Sequence, residues 1–223
     1  MRGFGLTRWI SWLWPIRETQ VEGRSGPLEV RWENGRLVVN SAQGNQSFGS
    51  LHRVWQRILD QVVDRERPPA NVLLLGLGGG SAVHILRKEM GLTTPITAVE
   101  WDPAMISLAK EYFTLEGFKE LTVVEGDATI QLHSKVSGQR TRYELILVDL
   151  FDDLDLARGV EAMPFIHGLR DACSPSGVVC FNTVSFDEAS EKRCELVRER
   201  LQRVFNKVEE VRLEEVNRVF LAR

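Results

Sequence analysis

The apolar run Val72-Leu73-Leu74-Leu75 leads straight into Gly76-Leu77-Gly78-Gly79-Gly80-Ser81, and Ala82 to Lys88 then reads as a helix. An unbroken apolar run of this kind suits a parallel strand buried on both faces. Glycines let the backbone turn sharply and approach a ligand closely. A helix starting at such a turn aims free N–H groups and the positive end of its dipole at whatever sits there. Strand, glycine turn and helix together predict a site for a nucleotide-type cofactor.

The next segments repeat the arrangement. Pro95 to Glu100 is a second apolar run ending in an acid, and Glu100 lies 24 positions after Gly76. An acid at the tip of the second strand of a βαβ unit is placed to bond ribose hydroxyls. Asp102-Pro103 opens another helix, with Asp102 as N-cap and Pro103 in the first turn. Leu121 to Glu125 runs into Gly126-Asp127-Ala128, and Tyr143 to Val148 ends at Asp149. Polar groups thus recur at the carboxyl ends of successive strands, where open α/β sheets bind ligands.

Read together, Gly76 to Gly80, Val99 to Pro103, Glu125 to Ala128 and Val148 to Asp152 resemble the successive motifs of class I S-adenosylmethionine-dependent methyltransferases. More narrowly they resemble the spermidine synthase (polyamine aminopropyltransferase) branch of that fold, over roughly residues 28 to 223. The resemblance implies an α/β, Rossmann-like methyltransferase sheet, mostly parallel with an antiparallel C-terminal strand and a short N-terminal β-hairpin extension. It implies S-adenosylmethionine or decarboxylated S-adenosylmethionine as cofactor. Gly76, Gly78 and Gly80 would take its methionine part and Glu100 its ribose. Trp101 would lie beside the adenine, and Asp127 with the backbone of Ala128 would bind the adenine amino group. Asp149 matches the acid that serves as base, Asp152 the second acid of that loop, and His52 falls near the family's Tyr-His-Glu substrate motif.

The chain departs from that pattern on the acceptor side. The acid that spermidine synthases carry in the glycine loop is replaced by Gly79 or Gly80, and Leu51 and Arg53 flank His52 in place of Tyr and Glu. The usual Asp-Ser-Ser-Asp-Pro stretch reads Asp149-Leu150-Phe151-Asp152-Asp153. The expected function is a transferase that moves a methyl or aminopropyl group to an unidentified small-molecule acceptor. Asp149, Asp152, Asp153 and Asp155 form an acidic cluster that would attract a cationic amine, or else a solvated loop. A non-catalytic homologue that keeps the cofactor site is the alternative. An NAD-dependent oxidoreductase fits less well, because Ser81 stands at the third glycine position of Gly-x-Gly-x-x-Gly.

Leu28 to Trp32 and Arg36 to Asn40, joined through Asn34-Gly35, alternate as a β-hairpin. Residues 51 to 64 form an amphipathic helix with Leu51, Val54, Trp55, Ile58, Leu59 and Val62 on one face. Later elements are a helix from Met163 to Ala172, a strand from Val178 to Asn182, a helix from Glu188 to Phe205 and a closing hairpin around Glu214-Glu215. This divides the chain into an aromatic segment (1–27), a hairpin and linker helix (28–69) and a cofactor-binding domain (70–223).

A net charge of −3 argues against a nucleic-acid partner. Cys173, Cys180 and Cys194 read as reduced cysteines of a cytoplasmic protein, and no His/Cys/acid cluster suggests a metal. His84 and His133 read as ordinary helix residues, and His167 as a second substrate-side candidate. No run reaches the roughly 18 apolar residues of a membrane span. The N-terminal segment carries Trp9, Trp12 and Trp14 among Arg2, Arg8 and Arg17, with no small-residue cleavage site after it. It is read as packing on its own domain or on a second subunit of a homodimer, with peripheral membrane contact as the alternative.

Overall fold

Hydrophobic alternation on the central strands decides how the layers stack. The computed structural model describes residues 4–41, 45–47, 49–132, 141–152 and 155–223; His133 and Asp153 lie outside them. A short helix, α1 (Phe4–Ile10), precedes β1 (Ile16–Gly23), β2 (Gly26–Glu33), β3 (Arg36–Asn40) and β4 (Asn45–Ser47), which pair in that order as an antiparallel sheet. The predicted hairpin is β2–β3, with Asn34 and Gly35 both at positive φ, as a primed two-residue turn requires. β1 and β4 extend it on either side. β2 crosses the 27/28 boundary drawn from the sequence, and β1 pairs with it. The segment before residue 28 therefore belongs to the same sheet as the hairpin. Residues 16–23 carry few apolar positions, so pairing with β2 rather than burial holds them.

Helix α2 (Ser50–Val62) links this sheet to β5 (Val72–Leu75), which is followed by α3 (Ser81–His84) and its π-helical continuation through Glu89. Then come β6 (Ile96–Glu100), α4 (Pro103–Phe113), β7 (Leu121–Glu125), α5 (Ala128–Gln131), β8 (Tyr143–Val148) and the small pair β9 (Phe151–Asp152) and β10 (Asp155–Leu156). Helix α6 (Met163–Ala172), β11 (Cys173–Val184), α7 (Glu188–Val204), β12 (Val208–Leu213) and β13 (Asn217–Ala222) complete the chain. The main sheet has seven strands in the order β12-β13-β11-β8-β5-β6-β7, with β13 antiparallel to both neighbours and the other six strands running in one direction. This is the mostly parallel sheet with an antiparallel C-terminal strand that the motifs imply.

Side chains of β5 and β8 alternate between the two faces. Val72, Leu74, Leu145 and Leu147 pack with Trp55, Ile58 and Leu59 of α2 and with Ile85 and Leu86. Leu73, Leu75, Ile146 and Val148 pack with Phe165 and Leu169 of α6 and Val197 and Leu201 of α7. The N-terminal sheet has a small core of its own, where Leu28, Val30 and Val39 meet Met105, Leu108 and Phe113. That contact seats the sheet on α4, beside the carboxyl ends of β5 and β6.

Candidate functional site

Gly76 ends β5, and three strand tips meet on it. Its N–H donates to the Val99 carbonyl at 2.9 Å, and the Asp149 N–H donates to the Leu75 carbonyl at 2.8 Å. Its φ is +91°, and a Cβ there would lie 2.0 Å from the Asp149 carbonyl oxygen. No L side chain fits either constraint. Gly78 also has positive φ, at 51°. Gly80 caps α3 in the left-handed conformation, but it does not face the cavity. Its missing side chain makes room for Leu115, whose methyl a Cβ would meet at 2.8 Å. The smallness of Gly80 thus serves packing.

The Glu100 carboxylate fastens this loop. Oε2 accepts from the N–H groups of Leu77 and Gly78 at 3.0 and 3.2 Å, and Oε1 accepts from the Asp102 N–H at 3.1 Å. Burial pushes the carboxyl above its ordinary range, and the backbone N–H donors pull it back. Asp102 caps α4 as the sequence predicts, accepting from the Ala104 N–H at 2.8 Å. Its second oxygen accepts from the Arg24 N–H at 2.8 Å, so the β1–β2 turn is tied to the rim of the main sheet. The Arg24 side chain covers that rim. Its guanidinium donates to the Trp101 carbonyl and, at 3.0 Å, to Glu125, and stacks 5.4 Å from the Trp101 ring centroid.

A cavity of about 370 Å³ opens at these carboxyl ends. Grouped by element, its lining forms two walls: Gly76, Gly78, Glu100, Trp101, Asp127 and Ala128 lie at or after the ends of β5, β6 and β7. Asp127 caps α5 through Oδ1, which accepts from the Thr129 N–H at 2.7 Å. Asp149, Phe151, Asp152, Asn182 and Asn217 come from the end of β8 and from β9, β11 and β13, and Ser25, Leu28 and Leu51 also line the cavity. Among the described lining residues are five carboxylates and a single Arg or Lys, Arg158. A cleft with this sign concentrates cations, so its lining suits a positively charged ligand such as a sulfonium.

Asp149 sits at the centre of a polar network. It accepts from the Trp55 indole N–H at 2.8 Å and from the Asn182 side-chain amide at 2.9 Å, and Asn182 in turn accepts from Asn217 at 3.1 Å. Burial pushes the Asp149 carboxyl up, against the two donors that hold its charged form. A raised carboxyl beside a cavity is a general-base candidate. Trp55, Asn182 and Asn217 were not singled out from the sequence. Trp55 reads as one more apolar residue of an amphipathic helix, and its partner lies 94 positions away.

His52 points elsewhere. Its ring lies 2.7 Å from the Glu89 carboxylate at the end of the π turn, outside the cavity lining. The adjacent Leu51 reaches the cavity instead, because neighbouring helix positions face about 100° apart. Arg53 pairs with Glu214 at 2.6 Å. Asp152 reaches the lining from β9, and Asp155 pairs with Arg193 of α7. The four-acid cluster is therefore already partly engaged. No cluster of metal-ligating residues occurs among the described residues, and no helix among them is long and apolar enough to cross a membrane.

Residues 53–213 match the family model described as the spermine/spermidine synthase domain. The eEF1A lysine and N-terminal methyltransferase homolog of Drosophila pseudoobscura pseudoobscura is 31% identical over 153 residues, covering 65% of this chain and 22% of its own. The polyamine aminopropyltransferase of Vibrio vulnificus is 30% identical over 118 residues, covering 52% of this chain and 38% of its own. This chain thus spans well under half the length of either relative. The crystal structure of human methyltransferase-like protein 13 in complex with SAH superposes with a TM-score of 0.67 at 24% identity, covering 79% of this chain and 82% of that one.

Proposed function

Because this chain belongs to the spermine/spermidine synthase domain family, we propose that it is an S-adenosylmethionine-dependent transferase whose acceptor is something other than a simple diamine. The observation that carries the reading is the meeting of the two walls. Glu100, with Gly76 and Gly78, would form a cofactor cradle, and Asp149, held by Trp55 and Asn182, lines the same cavity beside Gly76. Bound there, the cofactor supplies an electrophilic carbon next to its sulfonium. The protein's part is positioning and proton removal. Gly76 and Gly78 let the backbone approach the methionine portion, Glu100 bonds the ribose, and Asp127 with Ala128 reads the adenine edge. Asp149 takes the proton that the acceptor loses, and Asp152 orients it.

The acceptor wall favours methyl transfer over aminopropyl transfer. A desolvated diammonium needs an anion at each end. Here the glycine-loop acid is absent, and Leu28, Leu51, Phe151 and Val216 add apolar surface to the lining. The apolar lining suits an acceptor with an apolar body and one nucleophilic nitrogen or oxygen. Free, buried thiols at Cys173, Cys180 and Cys194, with Cys180 pushed up to about 12 by burial, support a cytoplasmic protein. The exposed N-terminal segment is its contact surface for a second subunit or a membrane.

Calorimetric titration and turnover assays test this reading. S-adenosylmethionine and S-adenosylhomocysteine should bind. Putrescine with decarboxylated S-adenosylmethionine should turn over far below the ~1 per second typical of enzymes. Spermidine made at or above that rate would overturn the acceptor assignment, and absence of binding by either ligand would overturn the whole reading.

A further inference from the structure

Of the ten exposed large hydrophobic side chains among the described residues, six fall within nine consecutive positions: Leu6, Trp9, Ile10, Trp12, Leu13 and Trp14. Leu13 is 88% exposed, and Trp9 and Trp14 about three-quarters. Such a concentration is not scattered surface chemistry and marks an interaction site. The segment is also fastened from behind. Ser11 is buried; its carbonyl accepts from the Asn34 N–H at 3.0 Å, and its hydroxyl accepts from the Gly35 N–H at 3.0 Å. The Trp12 indole rests over Gly35, where a Cβ would meet its Nε1 at 2.7 Å. The backbone is held on the β2–β3 turn while Trp9, Leu13 and Trp14 face outward. Of these six side chains Trp12 packs on its own domain, whereas Trp9, Leu13 and Trp14 stay exposed.

We propose that this segment is a peripheral docking surface for an anionic lipid bilayer. Charge selects the occupant. Residues 1–17 hold three arginines and no acid, in a chain whose net charge is −3. Arg8 lies within the apolar run and is exposed. Tryptophans with arginines suit the headgroup boundary, where the indole ring has one apolar side and one polar edge. A second copy is a poorer match, because a two-fold contact sets the same patch against itself and brings like charges together. The geometry also leaves the cavity open. Gly26, at the start of β2, lines the cavity, and Glu33, at its end, adjoins the turn that carries Ser11. Eight extended residues separate the two by roughly 25 Å.

The test uses the full chain with vesicles of phosphatidylcholine, with and without phosphatidylglycerol, in a sedimentation assay. The protein should bind the anionic vesicles, more weakly as salt rises. Trp9→Ser/Leu13→Ser/Trp14→Ser should weaken that binding at least about tenfold. Arg8→Gln should weaken it roughly fivefold, the effect of one basic charge at an anionic surface. Trp12 is left in place because it packs on Gly35. S-adenosylhomocysteine affinity should be the same in all variants, which keeps this test apart from the transferase reading. Lack of binding to anionic vesicles would overturn the proposal, as would equal binding by the triple variant. A dimer that the triple variant dissociates, with no vesicle binding, would assign the patch to a second copy instead.

Discussion

The two walls of the cavity are built differently. On the proposed cofactor wall, the carboxylates are held by backbone N–H groups: Glu100 bonds Leu77, Gly78 and Asp102, and Asp127 bonds Thr129 two residues on. On the acceptor wall, Asp149 depends on side chains from α2, β11 and β13. A wall made from bonds to backbone groups tolerates side-chain change around it. A wall made from side chains of three distant elements can be retuned one residue at a time, and its substrate can drift while the cofactor stays.

The largest effect should come from the point where the walls join. Gly76→Val places a branched side chain against the Asp149 carbonyl at positive φ. Strain and overpacking together should cost about 4 kcal/mol, read as a lower denaturation midpoint. Both walls should fail at once; if cofactor binding survives, the walls are independent of each other.

Asp149→Asn should separate them. Turnover should fall about a hundredfold or more, with S-adenosylhomocysteine affinity unchanged by titration. The same residue sets a pH dependence. Its raised carboxyl must ionise to act as base, so turnover should drop as pH falls through that raised value, above the ordinary 3.8. Stability runs the other way. Relative to the unfolded chain the fold favours the protonated acid, a contribution fully present below 3.8 and lost as pH rises through the folded value. Asp149→Asn should abolish both limbs. A limb that persists belongs to another group.

Glu100→Gln should act on the opposite wall alone. Its carboxylate accepts three backbone N–H bonds, and hydrogen bonds to charged groups are worth roughly 1.5–3 kcal/mol. Cofactor affinity should fall about thirtyfold while the pH limb of Asp149 stays put. Trp55→Phe keeps the ring in the core and removes one donor to Asp149. The acid limb should move up, with a stability loss of about 1 kcal/mol. Arg24→Ala should have the smallest effect. Its pair with Glu125 is half exposed, and such pairs contribute about 1 kcal/mol or less. A loss of cofactor affinity beyond about fivefold would make the β1–β2 turn part of the binding wall.

This asymmetry also explains what could be read before the structure. Gly76, Glu100, Asp102 and Asp127 announce themselves because strand, turn and cap chemistry are local, and the order of strands follows from runs such as Val72–Leu75 and Tyr143–Val148. Asp149 is visible as a strand-end acid. Its partners are not, since an amphipathic pattern shows that Trp55 is buried and says nothing of where its indole N–H goes. His52 and Gly80 mislead for related reasons. The one-residue step from Leu51 to His52 turns the imidazole toward Glu89, and Gly80 yields its space to Leu115. β1 escapes notice because its half-exposed strand carries too few apolar residues to alternate.

The place of β13 in the sheet sets a timetable. It follows β11 and β12 in the chain yet lies between them, and Asn217 at its start completes the chain of amides that ends on Asp149. During synthesis, β11 must wait with one edge unpaired until β13 emerges and slots in. Until then that edge is open to pairing with a neighbouring chain, and the acid lacks part of its support. On the proposed function, such a molecule would acquire its cofactor cradle early and its acceptor chemistry last. Ribosomal stalling before residue 217 should therefore yield chains that aggregate through this edge and do not transfer.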